Sequence, residues 1–314
     1  MAKPSYGGQA VIEGVMMRGQ RNFAVAVREP SGKITVLQEP LQGAIYTKSF
    51  FKLPFLRGPI VLWDTLALGM RTLMYSANVQ LAAEGEGEKA ELSEGAMWGT
   101  VAVALLVAVG VFFVAPAFLM SAFFDRYLDS ALLSNLIEKV IRLTLIVGYI
   151  AAIGTLPDIR RVFAFHGAEH KAINAFEHGD PLDVAHAQRY TTAHPRCGTS
   201  FLLVVVVVSF IAFSMLGQPP MLERIISRIL LIPVVAAIAY EFIKFAALRT
   251  SNPLLSVLLA PGMWLQKLTT REPDDSQVEV ALVALQHALA ADGLLAEVAQ
   301  PVAAGAASEP VGLG

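Results

Sequence analysis

Cysteine is almost absent. Among 314 residues there is one, Cys197, so an internal disulfide is excluded, and a lone thiol fits a reducing compartment. Charge is scarce too: Asp, Glu, Lys and Arg make up 16% of the chain against 55% for the apolar class, and mean hydropathy is +0.55. That balance points to a membrane protein with lipid as a partner. With a net charge of -2, no basic face can neutralise phosphates, so nucleic acid is not an expected partner. Met1 to Gly8 lack a basic segment followed by an apolar one, as a cleaved signal requires, so insertion is expected to rely on internal apolar segments.

The pattern along the chain predicts an all-α polytopic membrane protein of about four transmembrane helices with a small N-terminal β-hairpin element. Residues 1–83 read as a cytoplasmic or interfacial region. Gly7 to Gly19 is glycine-rich and suits either a loop closing over a site or a tight turn, with Glu13 and Arg18 set among apolar neighbours. Alternation at Phe23, Val25 and Val27, and again at Ile34 and Val36, around Glu29-Pro-Ser-Gly32, predicts the hairpin. From Pro59 to Ala83 the pattern is helical. Asp64 and Arg71 within it favour a helix lying on the membrane or packed on others.

Residues 84–95 form an acidic, glycine-punctuated linker that cannot build a core. The membrane domain spans 96–250. Its first span, Ala96 to Phe124, is uncharged, with Pro116 as a candidate kink. The second, Glu138 to Pro157, reaches spanning length only if Lys139 and Arg142 snorkel. Thr199 to Leu222 and Ile225 to Phe245 give the third and fourth. Lys and Arg cluster at both ends and between spans two and three, which places the termini and a His-rich loop, 158–198, in the cytoplasm of a bacterial inner membrane. Residues 251–299 hold an interfacial or re-entrant stretch, Leu254 to Leu265, and a soluble amphipathic helix starting at a Ser276/Glu279 capping box. Residues 300–314 are Ala/Gly/Pro-rich and read as disordered. A homo-oligomer is left open.

Chemistry concentrates between spans two and three, where five of the 6 histidines and the only cysteine lie. His166 and His170, four apart, share one helix face, and Glu169 stands beside them. His-x-x-Glu-His is the inverted zincin order, with two histidines on a divalent metal, zinc foremost, and the glutamate as general base. The third ligand is open. Glu177 projects to the same side but lies about 10.5 Å along the axis, so it reaches the ion only if the helix bends, or it orients a histidine. His194 and Cys197 would complete a closed four-ligand site, which would be structural. Glu241 is a distant candidate with Lys244 as its ordinary partner. His178 and His186 lie in a polar stretch and read as solvent-exposed. Glu169 could instead pair with Lys171 or Arg160.

Four segments, Gly7 to Gly19, His166 to Glu177, His194-Pro-Arg-Cys-Gly-Thr-Ser-Phe201 and Thr269-Thr-Arg-Glu-Pro-Asp-Asp275, together resemble the bacterial YqhQ-type membrane proteins, a family of unknown function. The family is described as predicted metal-dependent enzymes, which implies that His166, Glu169 and His170 form the centre. The expected activity is metal-dependent hydrolysis at the membrane surface. The alternatives are a non-enzymatic scaffold or assembly factor with a structural ion, and a metal or small-solute transporter.

Overall fold

The computed structural model describes residues 6–42, 51, 53–83, 94–128, 130–195, 197–217, 219–247 and 253–295. The tail from 300 and nearly all of the acidic linker lie outside them. The chain opens with a four-stranded antiparallel meander, β1 (Gly7–Val11), β2 (Gly14–Arg18), β3 (Asn22–Arg28) and β4 (Ile34–Pro40). The expected hairpin is β3–β4, with Val25 opposite Leu37 and Gly32 at φ 86° in the turn.

The glycine-rich stretch is a second hairpin rather than a loop. Glycine is depleted in strands because it leaves nothing to pack, and this hid the strand pattern. Here two glycines serve close approach: a Cβ at Gly14 would lie 2.3 Å from the Ala26 carbonyl oxygen, and one at Gly8 would lie 2.5 Å from that of Met16. Glu13 turns the chain in the left-handed region, φ 52°, and its carboxylate is held by the Arg161 guanidinium.

Helix α1 (Arg57–Ala83) covers one face of the sheet. Met16, Phe23, Val25 and Val27 pack there with Leu68, Leu73 and Val79. The charges Asp64 and Arg71, read as marks of a helix lying on the membrane or packed on other helices, pair with the sheet, to Arg18 and Glu39, each at 2.7 Å.

The next span is helical throughout, with α2 (Glu94–Val109) and α3 (Ala115–Leu119) joined by a π-turn at Gly110–Val114. That wide turn ends just before Pro116, which has no N–H to donate to the preceding turn. A second π-turn, Met120–Phe124, follows. Then come α4 (Ala131–Ile153) and α5 (Pro157–His178), bent by 101° at the break between them. Leu156 is extended, ψ 133°, as a residue before proline prefers. A short α6 (Val184–Ala187) leads to α7 (Gly198–Ser214), α8 (Met221–Ala247), α9 (Pro253–Thr269) and α10 (Asp275–Ala291).

Among the described residues, two helices are long and apolar enough to cross a membrane, Trp98–Phe124 and Met221–Ala246, or three if the bent pair α4–α5 is one span. Expected span two falls short alone because Glu138, Lys139 and Arg142 interrupt it. Expected span three ends early: α7 has 17 residues, about 25 Å, and Gly217 at φ 69° follows it. Most of the expected His-rich loop is the 22-residue helix α5.

Helices α5 and α10 cover the other face of the sheet, where Val15, Met17, Ala24 and Ala26 meet Phe165, Ile173, Leu282 and Leu285. With helices on both faces, β3 is buried continuously from Phe23 to Val27, each large side chain contributing about 1.5–3 kcal/mol. The cap of α10 differs from the expected one. Asp274 accepts from Gln277 N–H at 2.9 Å and Gln277 accepts from Asp274 N–H at 3.0 Å, while Glu279 pairs with Arg28 at 2.6 Å.

Asp292, just past α10, places an acid at a helix C-terminus, against the macrodipole. The β2–β3 turn explains it. Gln20 N–H, Arg21 N–H and the Tyr6 hydroxyl donate to its carboxylate at 2.6, 3.1 and 2.7 Å. Burial alone would push this carboxyl up, but those bonds and Asn22 outweigh it and hold it below its usual range. Its stabilisation is therefore present above the unfolded value of ~3.9 and lost as pH falls through the lower folded value. Asp292→Ala is expected to cost about 2–3 kcal/mol at neutral pH. In thermal melts, the gap between variant and wild type should shrink on acidification.

Candidate metal centre

Helix α5 starts at Pro157 in the N1 position with Asp158 in its first turn, and stops at Gly179 in the left-handed conformation, φ 82°. Between these ends His166 and His170 stack one turn apart, ring centroids 4.5 Å. His166 Nδ1 lies 2.9 Å from the Thr269 carbonyl oxygen and His170 Nδ1 lies 2.6 Å from that of Thr192. A carbonyl only accepts, so each Nδ1 carries a proton, and in the neutral imidazole the lone pair is on Nε2. This is the outer hydrogen bond that metal-ligating histidines use to fix their tautomer.

Cys197 supplies the third donor. Its Sγ is 3.3 Å from His166 Nε2, and ligand atoms of His166, His170 and Cys197 all lie within 4.8 Å of one another. Ahead of the cysteine, the segment 188–195 runs along α5 tied by polar side chains. Lys171 Nζ donates to the Gln188 carbonyl at 3.0 Å, and Asn174 donates to those of Thr191 and Ala193 at 3.1 and 3.2 Å. Two imidazoles with open Nε2 atoms and a thiol fit a borderline-soft divalent cation such as zinc.

The other candidates stand apart from this trio. Buried His194 is clamped by Gln266, which accepts from its N–H at 3.0 Å and donates to its carbonyl at 2.8 Å. Its ring is 5.7 Å from that of His170, and its Nε2 faces Glu177 Oε2 at 3.4 Å. Glu177 therefore meets a histidine from outside its own helix rather than His166 or His170. Glu241 is far in role: Arg57 Nε donates to it at 2.6 Å and Phe55 N–H at 3.2 Å, so it ties the start of α1 to α8. Its partner is Arg57 rather than Lys244. His178 is exposed with Nδ1 on the Asn174 carbonyl, and His186 pairs with Asp183 at 2.8 Å.

Glu169 is buried beneath β1, accepting from Gly8 N–H at 2.9 Å. Burial pushes its carboxyl up, while His166 and the Gly8 hydrogen bond pull the other way. Its expected salt-bridge partner Lys171 points elsewhere, to Glu272 at 2.5 Å. The carboxylate is next to the trio but not one of its three members.

All four motif segments therefore converge on α5. Thr192 and Gln266 lie outside the motif segments, and Thr269, which opens the last of them, has no site role in the sequence reading; the carbonyls of Thr192 and Thr269 orient the histidines. Backbone carbonyls carry no side-chain signature, so no residue type could have flagged those two threonines.

The described residues define a largely helical protein with two to three membrane-length apolar helices, a four-stranded sheet and a cluster of His166, His170 and Cys197. The chain belongs to the DUF1385 family of proteins of unknown function, whose model matches residues 53–291. It is 35% identical over 301 residues to the uncharacterized protein YqhQ of Bacillus subtilis (strain 168), covering 93% of this chain and 94% of that one. No solved structure matches it.

Proposed function

We propose that the protein is a divalent-metal enzyme of the inner membrane, with His166, His170 and Cys197 as ligands and hydrolysis at the membrane surface as its reaction. The observation that carries this reading is the pair of Nδ1–carbonyl hydrogen bonds, which leave two Nε2 lone pairs beside one thiol. Three ligands leave a coordination position for a reactant, as catalytic zinc sites do. A bound divalent metal supplies the Lewis acidity that lets water react at neutral pH.

Glu169 is the proton acceptor in this reading. Its carboxylate sits beside His166 in a desolvated setting that favours taking a proton, and Gly8 N–H orients it. Crossings along Trp98–Phe124, α4, α7 and Met221–Ala246 would put both termini and α5 on one side, which the Lys and Arg distribution makes cytoplasmic. Peptide bonds and lipid-linked esters near the bilayer are the substrate classes within reach.

Glu169→Gln is expected to retain metal while lowering turnover on such substrates by roughly 10²–10⁴-fold. Undiminished turnover removes the base role. The nearness of the His194 ring to that of His170 favours one rival, a structural ion with His194 as fourth ligand in a scaffold protein. X-ray absorption on the metal-loaded protein separates the two: three protein ligands support the enzyme, and four support the scaffold.

A further inference from the structure

A second charged cluster lies away from the histidines, between α4 and α8. Glu138, Lys139, Arg142, Arg224 and Arg228 are all at least nine-tenths buried, with exposures of 1, 5, 4, 6 and 7%. Three cations, Lys139, Arg142 and Arg228, thus share one buried carboxylate. Glu138 is already taken, by Arg142 at 2.7 Å and by both terminal nitrogens of Arg228. The outer surface of the same helices is apolar, with Leu132, Leu136 and Val140 on α4 and Ile226 and Leu230 on α8 exposed. Charge inside and hydrocarbon outside is the distribution of a membrane-embedded functional site.

Lys139 is the telling member. Its Nζ is buried, has no hydrogen-bond partner among the described residues, and lies 4.2 Å from the Phe213 ring centroid. Arg142 Nε is likewise buried without a partner, and the Arg142 guanidinium lies over Phe113 at 4.6 Å. Aromatic faces contribute about 0.5–2 kcal/mol each and no net charge. The desolvation penalty of a buried polar group is several kcal/mol, so two buried donors left without a hydrogen-bond partner call for an acceptor anion. Arg142 and Arg228 are guanidinium forks suited to tetrahedral oxyanions, and Lys139 adds a further donor.

We propose that the α4–α8 cluster is a binding site for a phosphate-type oxyanion, with Lys139 and Arg142 supplying the unspent donors. The shared chemistry is a phosphate group, carried either by a phospholipid headgroup entering from the apolar surface or by free phosphate. The site is independent of the metal centre.

Lys139→Met tests it, because Lys139 Nζ has no hydrogen-bond partner among the described residues and methionine keeps an apolar stem against Phe213. Full-length protein purified in mild detergent is compared with this variant and with the exposed-site control Lys267→Met, by native mass spectrometry and by melting in phosphate against chloride at equal ionic strength. A phospholipid adduct on wild type and control, roughly tenfold weaker in Lys139→Met, identifies the lipid source. No adduct, but a phosphate-specific rise in melting temperature that Lys139→Met abolishes, identifies the soluble source. Neither signal in wild type, or either signal undiminished in Lys139→Met, overturns the proposal.

Discussion

Gly167→Ala is expected to destabilise the protein by about 3 kcal/mol, although alanine normally improves on glycine in a helix by ~1 kcal/mol. The reversal comes from one contact. A Cβ at Gly167 would lie 2.2 Å from the Arg271 carbonyl oxygen and 3.1 Å from Thr192 Cγ2. The first is backbone, pinned by Arg271 N–H to the Phe163 carbonyl at 2.9 Å, and cannot yield cheaply. The two segments pushed away carry Thr269 and Thr192, whose carbonyls orient His166 and His170. The substitution should therefore lower the melting temperature and weaken metal retention together. A melting temperature raised to the level that helix propensity alone gives would contradict the close packing of 269–272 on α5.

The second large effect concerns the ligands. Structural zinc binding is worth about 10–16 kcal/mol in total, so each ligand carries roughly 3–4 kcal/mol, and losing one costs about 10²–10³-fold in affinity. His166→Ala, His170→Ala and Cys197→Ser should each show a loss of that size in competition with a chromophoric chelator. Glu177→Gln and Glu241→Gln should leave affinity within a few-fold, because Glu177 meets His194 and Glu241 meets Arg57. A Glu241 effect equal to that of Cys197 would remove the trio as the ligand set.

Much of this arrangement was legible in the residues. The four-residue spacing of His166 and His170 implies one helix face, and the structure places them so. The β3–β4 hairpin followed from alternation and its Pro/Ser/Gly turn. What escaped has physical reasons. Strands β1 and β2 were masked by glycines needed for cross-strand closeness at Gly8 and Gly14. Asp64 and Arg71 looked like surface charges because their partners, Arg18 and Glu39, lie on strands far away in the chain. The capping box moved one turn because Asp274-x-x-Gln277 satisfies the same two N–H groups as Ser276-x-x-Glu279 would, and Glu279 is drawn to Arg28. That Cys197 rather than Glu177 lies beside His166 and His170 depends on the path of 188–195 along α5, fixed by backbone carbonyls that no motif displays.

Lys139 and Arg142 show the same limit within the helical bundle. As residues near the end of a span they read as snorkelling to water, yet they turn inward between α4 and α8. The three-dimensional partner, Arg228, is 90 residues from Glu138 in sequence.

Elemental mass spectrometry of detergent-purified protein, prepared without chelator, tests the central claim most directly. Wild type should carry about one divalent metal per chain, while a folded His166→Ala/His170→Ala variant should carry less than about a tenth of that. Metal-free wild type, or equal metal in both proteins, would contradict the His166/His170/Cys197 centre.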